Sequence, residues 1–267
     1  MARKLKIKQQ RGWAYTLAAT ILEPILLGAT KRHWIDEEKV PTEGGCVVVL
    51  NHVTKIDPLT AAHLVYYRGR LPRYLAKSSL FKNKAMAKFM TAAGQIPVER
   101  LSSNAAGAFD AAVAAIEQGE LVVVYPEGSI TRDPDLWPMR GKSGAARIAL
   151  ATGCPVIPIA QWGAHEILAP YSKRPKLFPR KTITMKVGEP VLLEDLRAEP
   201  LTSAAVNEAT DRIMAAITAL LEDVRGAKAP AERFDPRQAG VSEIGKPKDR
   251  KSGSDDSGAE GQREGGV

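Results

Sequence analysis

Short runs of apolar, mostly β-branched residues recur along the chain, and segments with helical periodicity separate them. The clearest runs, 46–50 (CVVVL) and 121–125 (LVVVY), contain no charged residue. Continuous apolar runs of this length are typical of strands that other elements cover on both faces. The same pattern predicts strands at 96–98, 155–160 and 182–187.

Alanine-rich helical patterns alternate with these strands. Segments 104–118 and 143–152 are each followed by a glycine, the residue that most often comes after a helix. A last predicted helix, 204–224, carries one apolar stripe, formed by Val206, Ile213, Ile217, Leu220 and Leu221. The alternation predicts an α/β fold with a largely parallel central sheet flanked by helices. Ligands of such sheets bind at the carboxyl ends of the strands.

The N-terminal end departs from this pattern. Before the first acidic residue, Glu23, the chain carries only basic charges, on Arg3, Lys4, Lys6, Lys8 and Arg11. An apolar stretch over 13–27 follows, and Glu23-Pro24 interrupts it, which argues against a spanning helix and against a cleaved signal peptide. We predict that residues 1–39 form a kinked pair of membrane-associating helices with interfacial aromatics, including Trp34, and basic side chains facing anionic lipid. An ordinary packing helix is the alternative.

The C-terminal end is rich in Gly, Ser, Asp and Lys and nearly lacks large apolar residues from Gly226 onward. Such a segment buries too little surface to offset the entropy of ordering it. We therefore divide the chain into a basic N-terminus (1–39), a central α/β domain (40–225) and a disordered charged tail (226–267).

Composition narrows the class of protein. Of the 267 residues, 44% are hydrophobic and 25% charged, which excludes both a disordered chain and a polytopic membrane protein. The two cysteines, Cys46 and Cys154, lie in apolar runs and are predicted to be reduced core residues. The formal net charge of +8 would also suit a nucleic-acid partner, but the sequence contains no recognition motif for one.

Candidate chemistry begins where the first buried strand ends. His52 follows the strand 46–50, and Asp57 stands five residues later, before Pro58 and a predicted helix over 59–67. Asp57 fits the N-cap of that helix. A loop that folds back would bring its carboxylate to the imidazole, fix the tautomer and leave the other ring nitrogen as a general base. The alternative is a loop histidine beside a capping aspartate.

Further polar blocks follow other strands. They read GQIPVER at 94–100, YPEGSITR at 125–132 and VIPIA at 156–160. Two other motifs fail on inspection. Leu136 replaces the upstream glycine that a P-loop ending in Lys142-Ser143 requires, and Ala145 breaks the nucleophile elbow of a serine hydrolase.

The four blocks together resemble the PlsC-type glycerolipid acyltransferases, the lysophosphatidate acyltransferase family. That family has a His-x4-Asp motif, a G-x-I-P-V-x-R-like block, a P-E-G-T-R-like block and a V-P-I-like block. They appear here in the same order, as NHVTKID, GQIPVER, YPEGSIT and VIPIA. The resemblance spans about residues 40–190 and is greatest to actinobacterial members, through the stretches TRDPDLWPM and AQWGAHEILAPY.

The resemblance implies a role for each matching residue. His52 would be the base that takes the proton of the acceptor hydroxyl, and Asp57 would orient His52 and stabilise the imidazolium, with no acyl-enzyme. The implied substrate-binding residues are Arg100, which meets the acceptor phosphate, the block residues Glu127, Gly128 and Ser129, and the basic residues Lys77, Lys142 and Arg132. Ile130 stands where the family has an arginine, and we expect Arg132 to reach the phosphate instead.

The resemblance also implies the reaction. It is that of a 1-acylglycerol-3-phosphate O-acyltransferase, which makes phosphatidic acid for phospholipid biosynthesis without a cofactor or metal. The donor would be an acyl-CoA or acyl-carrier-protein thioester, and the lipid partners would be lysophosphatidate and an anionic bilayer. We expect a peripheral or monotopic protein on the cytoplasmic face of the plasma membrane. The alternatives are acylation of glycerol 3-phosphate or another lipid hydroxyl, and a non-catalytic membrane-binding module, which need not keep His52 and Asp57.

Overall fold

The computed structural model of the chain describes residues 4–98, 105–197 and 201–243. The strands in these ranges are β1 (Thr30–Ile35), β2 (Cys46–Leu50), β3 (Pro72–Lys77), β4 (Ile96–Val98), β5 (Leu121–Val124), β6 (Val156–Trp162) and β7 (Lys181–Val187). The helices are α1 (Trp13–Ala29), α2 (Asp57–Tyr67), α3 (Lys84–Ala92), α4 (Ala105–Glu117), α5 (Gly144–Thr152), α6 (Ala164–Ile167) and α7 (Ser203–Arg225). Two of these strands, β1 and β3, and the helices α3 and α6 were not predicted from the sequence.

The strands form one sheet in the order β1-β7-β6-β2-β5-β3-β4. Every neighbouring pair is parallel except β6 and β7, which run antiparallel. The prediction of a largely parallel sheet flanked by helices is therefore confirmed. The reversal at β7 places the first residues of β7 and β1 at the edge where β2, β5 and β6 end, because Thr184 pairs with Trp162 at the end of β6.

Both faces of the sheet are buried, as the continuous apolar runs predict. Alternate residues of β2 point to opposite faces, with Val47 and Val49 packed in the cluster that includes α4, α5 and α7. Val48 and Leu50 pack on the other side, against α2. Cys46 and Cys154 are buried free thiols, in agreement with the prediction of reduced core cysteines.

The N-terminal segment differs from the predicted helix pair. One helix, α1, continues through Pro24, and the chain then enters β1, where Trp34 packs edge-on against His63 and Tyr67. In the part of the chain that the structure describes, no helix combines the length and the apolar character that crossing a bilayer requires.

The basic residues before α1 are held by the domain itself. Lys4 Nζ lies 2.7 Å from the Glu23 carboxylate and over the Tyr66 ring. Lys8 pairs with Glu43, and Arg11 donates to the Tyr66 hydroxyl at 2.8 Å. Lys4, Lys8 and Arg11 therefore have partners inside the chain, and their contact with anionic lipid stays a prediction.

Residues 226–243 also differ from the sequence expectation of a disordered tail. They lie against the segment that precedes α5, where Arg140 donates its backbone N–H to the carbonyl of Phe234 and pairs with Asp235 at 2.9 Å. Polar contacts explain why this segment is ordered, since backbone hydrogen bonds and ion pairs replace the apolar surface that it lacks. The rest of the predicted tail lies outside the described residues.

Candidate active site

The first feature of the site is a histidine–aspartate pair at the carboxyl end of β2. His52 stands in the loop after Leu50, and Asp57 is the first residue of α2. The loop folds back so that His52 Nδ1 lies 2.9 Å from Asp57 Oδ2. The structure thus brings together the two residues that the sequence analysis selected for catalysis.

The Asp57 carboxylate organises the loop in front of it. Its Oδ2 also accepts the backbone N–H groups of Val53 at 2.6 Å and Thr54 at 2.8 Å, and the side chain is 1% exposed. The predicted N-cap role is wrong, because these donors precede Asp57 and the position before the helix is Ile56. A buried anion that accepts three donors fixes the loop and the imidazole together.

The hydrogen bond to Asp57 determines the protonation of the neutral imidazole. An ionised carboxylate can only accept, so His52 Nδ1 carries the proton and Nε2 keeps its lone pair. The ring packs against Tyr125, with 4.4 Å between ring centroids, and 14% of the His52 side chain remains exposed. Nε2 is therefore free to take a proton from a hydroxyl that enters from the adjoining groove.

Glu127 supports this pair through the backbone of His52. It is fully buried, and its two oxygens accept the backbone N–H groups of His52 at 2.7 Å and Met139 at 3.1 Å. Burial raises the pKa of Glu127 to about 8, although both backbone N–H groups oppose that shift. These contacts make Glu127 a positioning residue for the backbone of His52, and its predicted contact with the acceptor stays a prediction.

A second set of contacts fixes the strand that carries His52. The Asn51 side chain donates to the backbone oxygen of Gln161 and accepts its N–H, while Gln161 Nε2 donates to the backbone oxygen of Asn51. These three bonds, each 2.9–3.0 Å, join the ends of β2 and β6 beside the loop. The sequence analysis missed Gln161, whose only signal was a polar residue inside an otherwise apolar strand.

His52 opens into a long apolar groove of about 890 Å³. Its walls come from α1, α2, α3, α4, α5 and β3, and include Tyr15, Leu59, Phe89 and Phe109. Such a volume with mostly apolar walls fits a long hydrocarbon chain whose reacting end lies beside His52.

Among the described residues, three cationic side chains line this groove together with His52. Lys77 and Lys142 were selected from the sequence, and Arg147 was missed. Arg147 lies on α5, one helical turn after Ser143, the residue that precedes this helix. Its four-residue spacing from Ser143 was the sequence signal that could have identified it. Gly128 also lines the groove, with a φ of 70°, and a Cβ at this position would meet the Lys142 side chain at 3.0 Å. Each of the three cations could make a charge-assisted contact with a phosphate group.

The remaining predicted residues lie elsewhere. Ser129 is buried and donates its hydroxyl to the backbone oxygen of Glu243 at 2.8 Å. Arg132 stacks on the Tyr171 ring at 4.9 Å and donates to its hydroxyl, so its guanidinium is directed toward the loop after β6. Ile130 is buried. Arg100 lies outside the described residues, and its role at the phosphate stays a prediction.

The C-terminal segment reaches the same region. The Glu243 carboxylate lies 3.2 Å from Lys142 Nζ and also pairs with Arg237. A carboxylate of this chain thus partly neutralises one of the three cations that line the groove.

Comparisons with known proteins agree with this arrangement. Residues 31–162 match the model of the family described as Acyltransferase. A 1-acyl-sn-glycerol-3-phosphate acyltransferase from Bacillus subtilis is 28% identical over 205 residues, which is 74% of this chain and 94% of that protein. The enzyme of the same name from Borreliella burgdorferi is 27% identical over 48% of this chain and 50% of its own length.

A solved structure shares the fold. The crystal structure of the 1-acyl-sn-glycerophosphate acyltransferase PlsC from Thermotoga maritima superposes with a TM-score of 0.54 at 19% identity, covering 80% of this chain and 84% of that one. The matched family region contains β1 to β6 and both members of the histidine–aspartate pair. The segment 31–162, just under half of the chain, matches the acyltransferase family.

Proposed function

We propose that this enzyme transfers a fatty acyl group from a thioester donor to the free hydroxyl of 1-acylglycerol 3-phosphate, which gives phosphatidic acid. The observation that carries the proposal is the His52–Asp57 pair at the mouth of an apolar groove lined by three cations. The relatives from Bacillus subtilis and Borreliella burgdorferi carry the name of this activity. The match covers 94% of the length of the first and 50% of the second.

The histidine acts as a general base in a direct transfer. His52 Nε2 takes the proton of the acceptor hydroxyl while the oxygen attacks the thioester carbonyl, and the Asp57 carboxylate stabilises the resulting imidazolium. Collapse of the tetrahedral intermediate breaks the C–S bond, and the imidazolium returns the proton to the departing thiolate. The products are the ester and a free thiol, so atoms and charges balance without an acyl-enzyme.

The groove accounts for the choice of a lysophospholipid acceptor. Lys77, Lys142 and Arg147 offer charge-assisted contacts to a phosphate, while the apolar walls take hydrocarbon. Glycerol 3-phosphate would use the cations but leave the apolar wall without a partner on the acceptor. The donor is an acyl thioester of coenzyme A or of acyl carrier protein, both of which present the same carbonyl to His52.

We also propose that the enzyme works at the cytoplasmic face of the plasma membrane as a peripheral protein. Its support is an exposed apolar stripe on α1, made of Trp13, Leu17, Ile21 and Ile25, each about half exposed. Their four-residue spacing puts them on one side of the helix. Tyr15 and Ala18 of the same helix line the groove, so a lipid surface at α1 would lie close to the entrance.

An acyl-transfer assay tests the reaction. Purified protein is given labelled palmitoyl-CoA or palmitoyl-acyl carrier protein with lysophosphatidate, glycerol 3-phosphate or other lysolipids dispersed in detergent. We expect phosphatidic acid from lysophosphatidate and a loss of about two to four orders of magnitude in turnover for His52→Ala. The exposed His33 on β1 supplies the matched control, His33→Ala. Full activity of a folded His52→Ala protein would contradict the mechanism, and preference for another acceptor would contradict the substrate.

The membrane proposal needs a separate measurement. Leu17→Ser/Ile21→Ser should reduce co-sedimentation with lipid vesicles because it removes apolar surface from α1 without touching the core. Leu192→Ser, at an exposed apolar residue outside α1, is the control. Equal vesicle binding by all three proteins would refute a lipid contact at α1.

A further inference from the structure

A basic loop precedes β7, and the active-site chemistry does not use it. Residues 172–181 read SKRPKLFPRK, with five basic residues and no acidic one. Its apex carries two exposed apolar side chains, Leu177 and Phe178, and 76% of Phe178 is accessible to solvent. A large aromatic side chain exposed to this degree inside a basic segment calls for a partner that offers both anions and hydrocarbon.

The chain supplies no counter-charge to this loop. Within residues 4–98, 105–197 and 201–243, no ion pair involves any of its basic residues, which are Lys173, Arg174, Lys176, Arg180 and Lys181. The basic residues before α1 behave differently, since Lys4 and Lys8 each pair with a glutamate. Among the described residues, the basic loop therefore keeps its positive charge without an acidic partner, unlike Lys4 and Lys8.

The position of the loop links it to the groove and to α1. It starts at the carboxyl edge of the sheet, where the Tyr171 hydroxyl donates to the backbone oxygen of Ile130 at 3.1 Å. Just before it, the backbone oxygen of Leu168 accepts the hydroxyl of Thr54, beside the histidine loop. At its far end Arg180 Nη2 donates to the backbone oxygens of Leu27 and Thr30, where α1 ends.

We infer that the basic loop is a second membrane contact, which docks on anionic lipid headgroups with Leu177 and Phe178 inserted at the interface. The inference rests on the proposed action on a bilayer-borne acceptor and adds the part of the surface that gives charge selectivity. Near an anionic leaflet each Lys or Arg contributes about 1 kcal/mol, or about fivefold in affinity. The α1 stripe carries no charge, so the loop supplies the dependence on anionic lipid and on salt.

A lipid surface fits this loop better than a nucleic acid does. Nucleic-acid sites combine basic residues with polar or stacking groups arranged along a groove. Here the single aromatic apex residue stands beside an aliphatic one, which offers no stacking face, and Arg180 is anchored where α1, the helix that carries the uncharged stripe, ends.

Vesicle co-sedimentation of the full chain, without substrate, tests the inference. The charge variant is K173Q/R174Q/K176Q, and the apex variant is Leu177→Ser/Phe178→Ser. The matched control, K186Q/K228Q/R233Q, removes the same three charges from the region of β7 and α7, where each makes an ion pair. Vesicles of phosphatidylcholine with and without phosphatidylglycerol are compared at low and moderate salt.

We expect the charge variant to lose about one to two orders of magnitude in partitioning to anionic vesicles, with no change on neutral ones. The apex variant should lose binding at both salt concentrations, and the control should behave like the unsubstituted protein. An equal loss in the control, or unchanged vesicle binding with weaker binding of a single-stranded RNA probe, would overturn the inference.

Activity on detergent-dispersed lysophosphatidate separates this inference from the proposed function. Normal activity of the charge variant together with lost vesicle binding supports the loop contact. If neither the unsubstituted protein nor any variant acylates the dispersed acceptor, the proposed function fails. The comparison of vesicle binding still decides the role of the loop in that case.

Discussion

Replacing Asp57 by asparagine separates the two tasks of its carboxylate, which are to order the loop and to stabilise the imidazolium. Oδ2 accepts from His52 Nδ1, Val53 N and Thr54 N, while Oδ1 has no hydrogen-bond partner among the described residues. An asparagine can keep its oxygen on the three donors and put its amide group in the place of Oδ1. The folded loop should therefore survive, and the negative charge is lost.

The expected magnitude follows from that charge. Two unit charges about 4 Å apart interact with about 4 kcal/mol at an effective dielectric constant of about 20, and the amide dipole replaces part of this. A loss of about 3–4 kcal/mol in the transition state lowers kcat by about two to three orders of magnitude. Asp57→Ala should lower thermal stability as well, because it leaves three buried donors without an acceptor at about 1–3 kcal/mol each before relaxation.

The assay compares kcat and melting temperature for Asp57→Asn, Asp57→Ala and a matched variant, Asp133→Asn. Asp133 is also buried and accepts two backbone N–H groups, from Asp135 and Trp137, but has no histidine partner. Asp57→Asn within about threefold of normal activity, or an equal loss in Asp133→Asn, would refute the assigned role of the charge.

Three further predictions concern the surroundings of the pair. Burial raises the pKa of Glu127 to about 8 from an ordinary value near 4.5, so the protonated carboxyl favours the folded state. The stability that this group contributes below about pH 4.5 should therefore be lost as the pH rises through 8. Glu127→Gln should flatten that part of a profile of melting temperature against pH, and it should lower kcat about tenfold or more. A melting-temperature difference between the two proteins that does not change with pH would contradict this. Arg147→Gln should raise KM for lysophosphatidate about tenfold and leave KM for 1-acylglycerol, which has no phosphate, unchanged; equal effects on both acceptors would remove Arg147 from phosphate binding. Glu243→Gln should lower KM for lysophosphatidate by up to about fivefold at low salt because it frees Lys142. The control Glu232→Gln, at an exposed glutamate, should leave KM unchanged. An increase in KM for Glu243→Gln would show that Glu243 helps to hold the acceptor.

The sequence predicted the strands that are buried on both faces, and the two strands that it missed both carry charges. β2, β5 and β6 are almost entirely apolar, and their periodicity identifies them directly. In β3 a charged residue has a partner that the sequence does not reveal, since Arg73 pairs with Glu120 at 2.6 Å. β1 carries Lys31 and Arg32 at the edge of the sheet, where one side of the strand needs no apolar neighbour.

The sequence predicted the candidate site only through the four motif blocks and their order along the chain. His52 and Asp57 follow from the motif, and the structure brings them within hydrogen-bonding distance. That Glu127 faces the backbone of His52 could not be predicted, because the motif gives the residue type and not the direction of its side chain. Arg132 and Tyr171 lie 39 positions apart, so their stacking depends on a tertiary contact that no local pattern encodes.

The antiparallel pairing of β6 and β7 has a consequence for how this surface can diverge. The matched family region ends at residue 162, which is also the last residue of β6, so the basic loop and β7 follow it. The chain reaches them through the segment after Trp162, and β1 pairs with β7 from the other end of the sequence. Substitutions at the exposed side chains of the basic loop and of α1 would therefore change this outer surface while the contact between His52 and Asp57 stays in place.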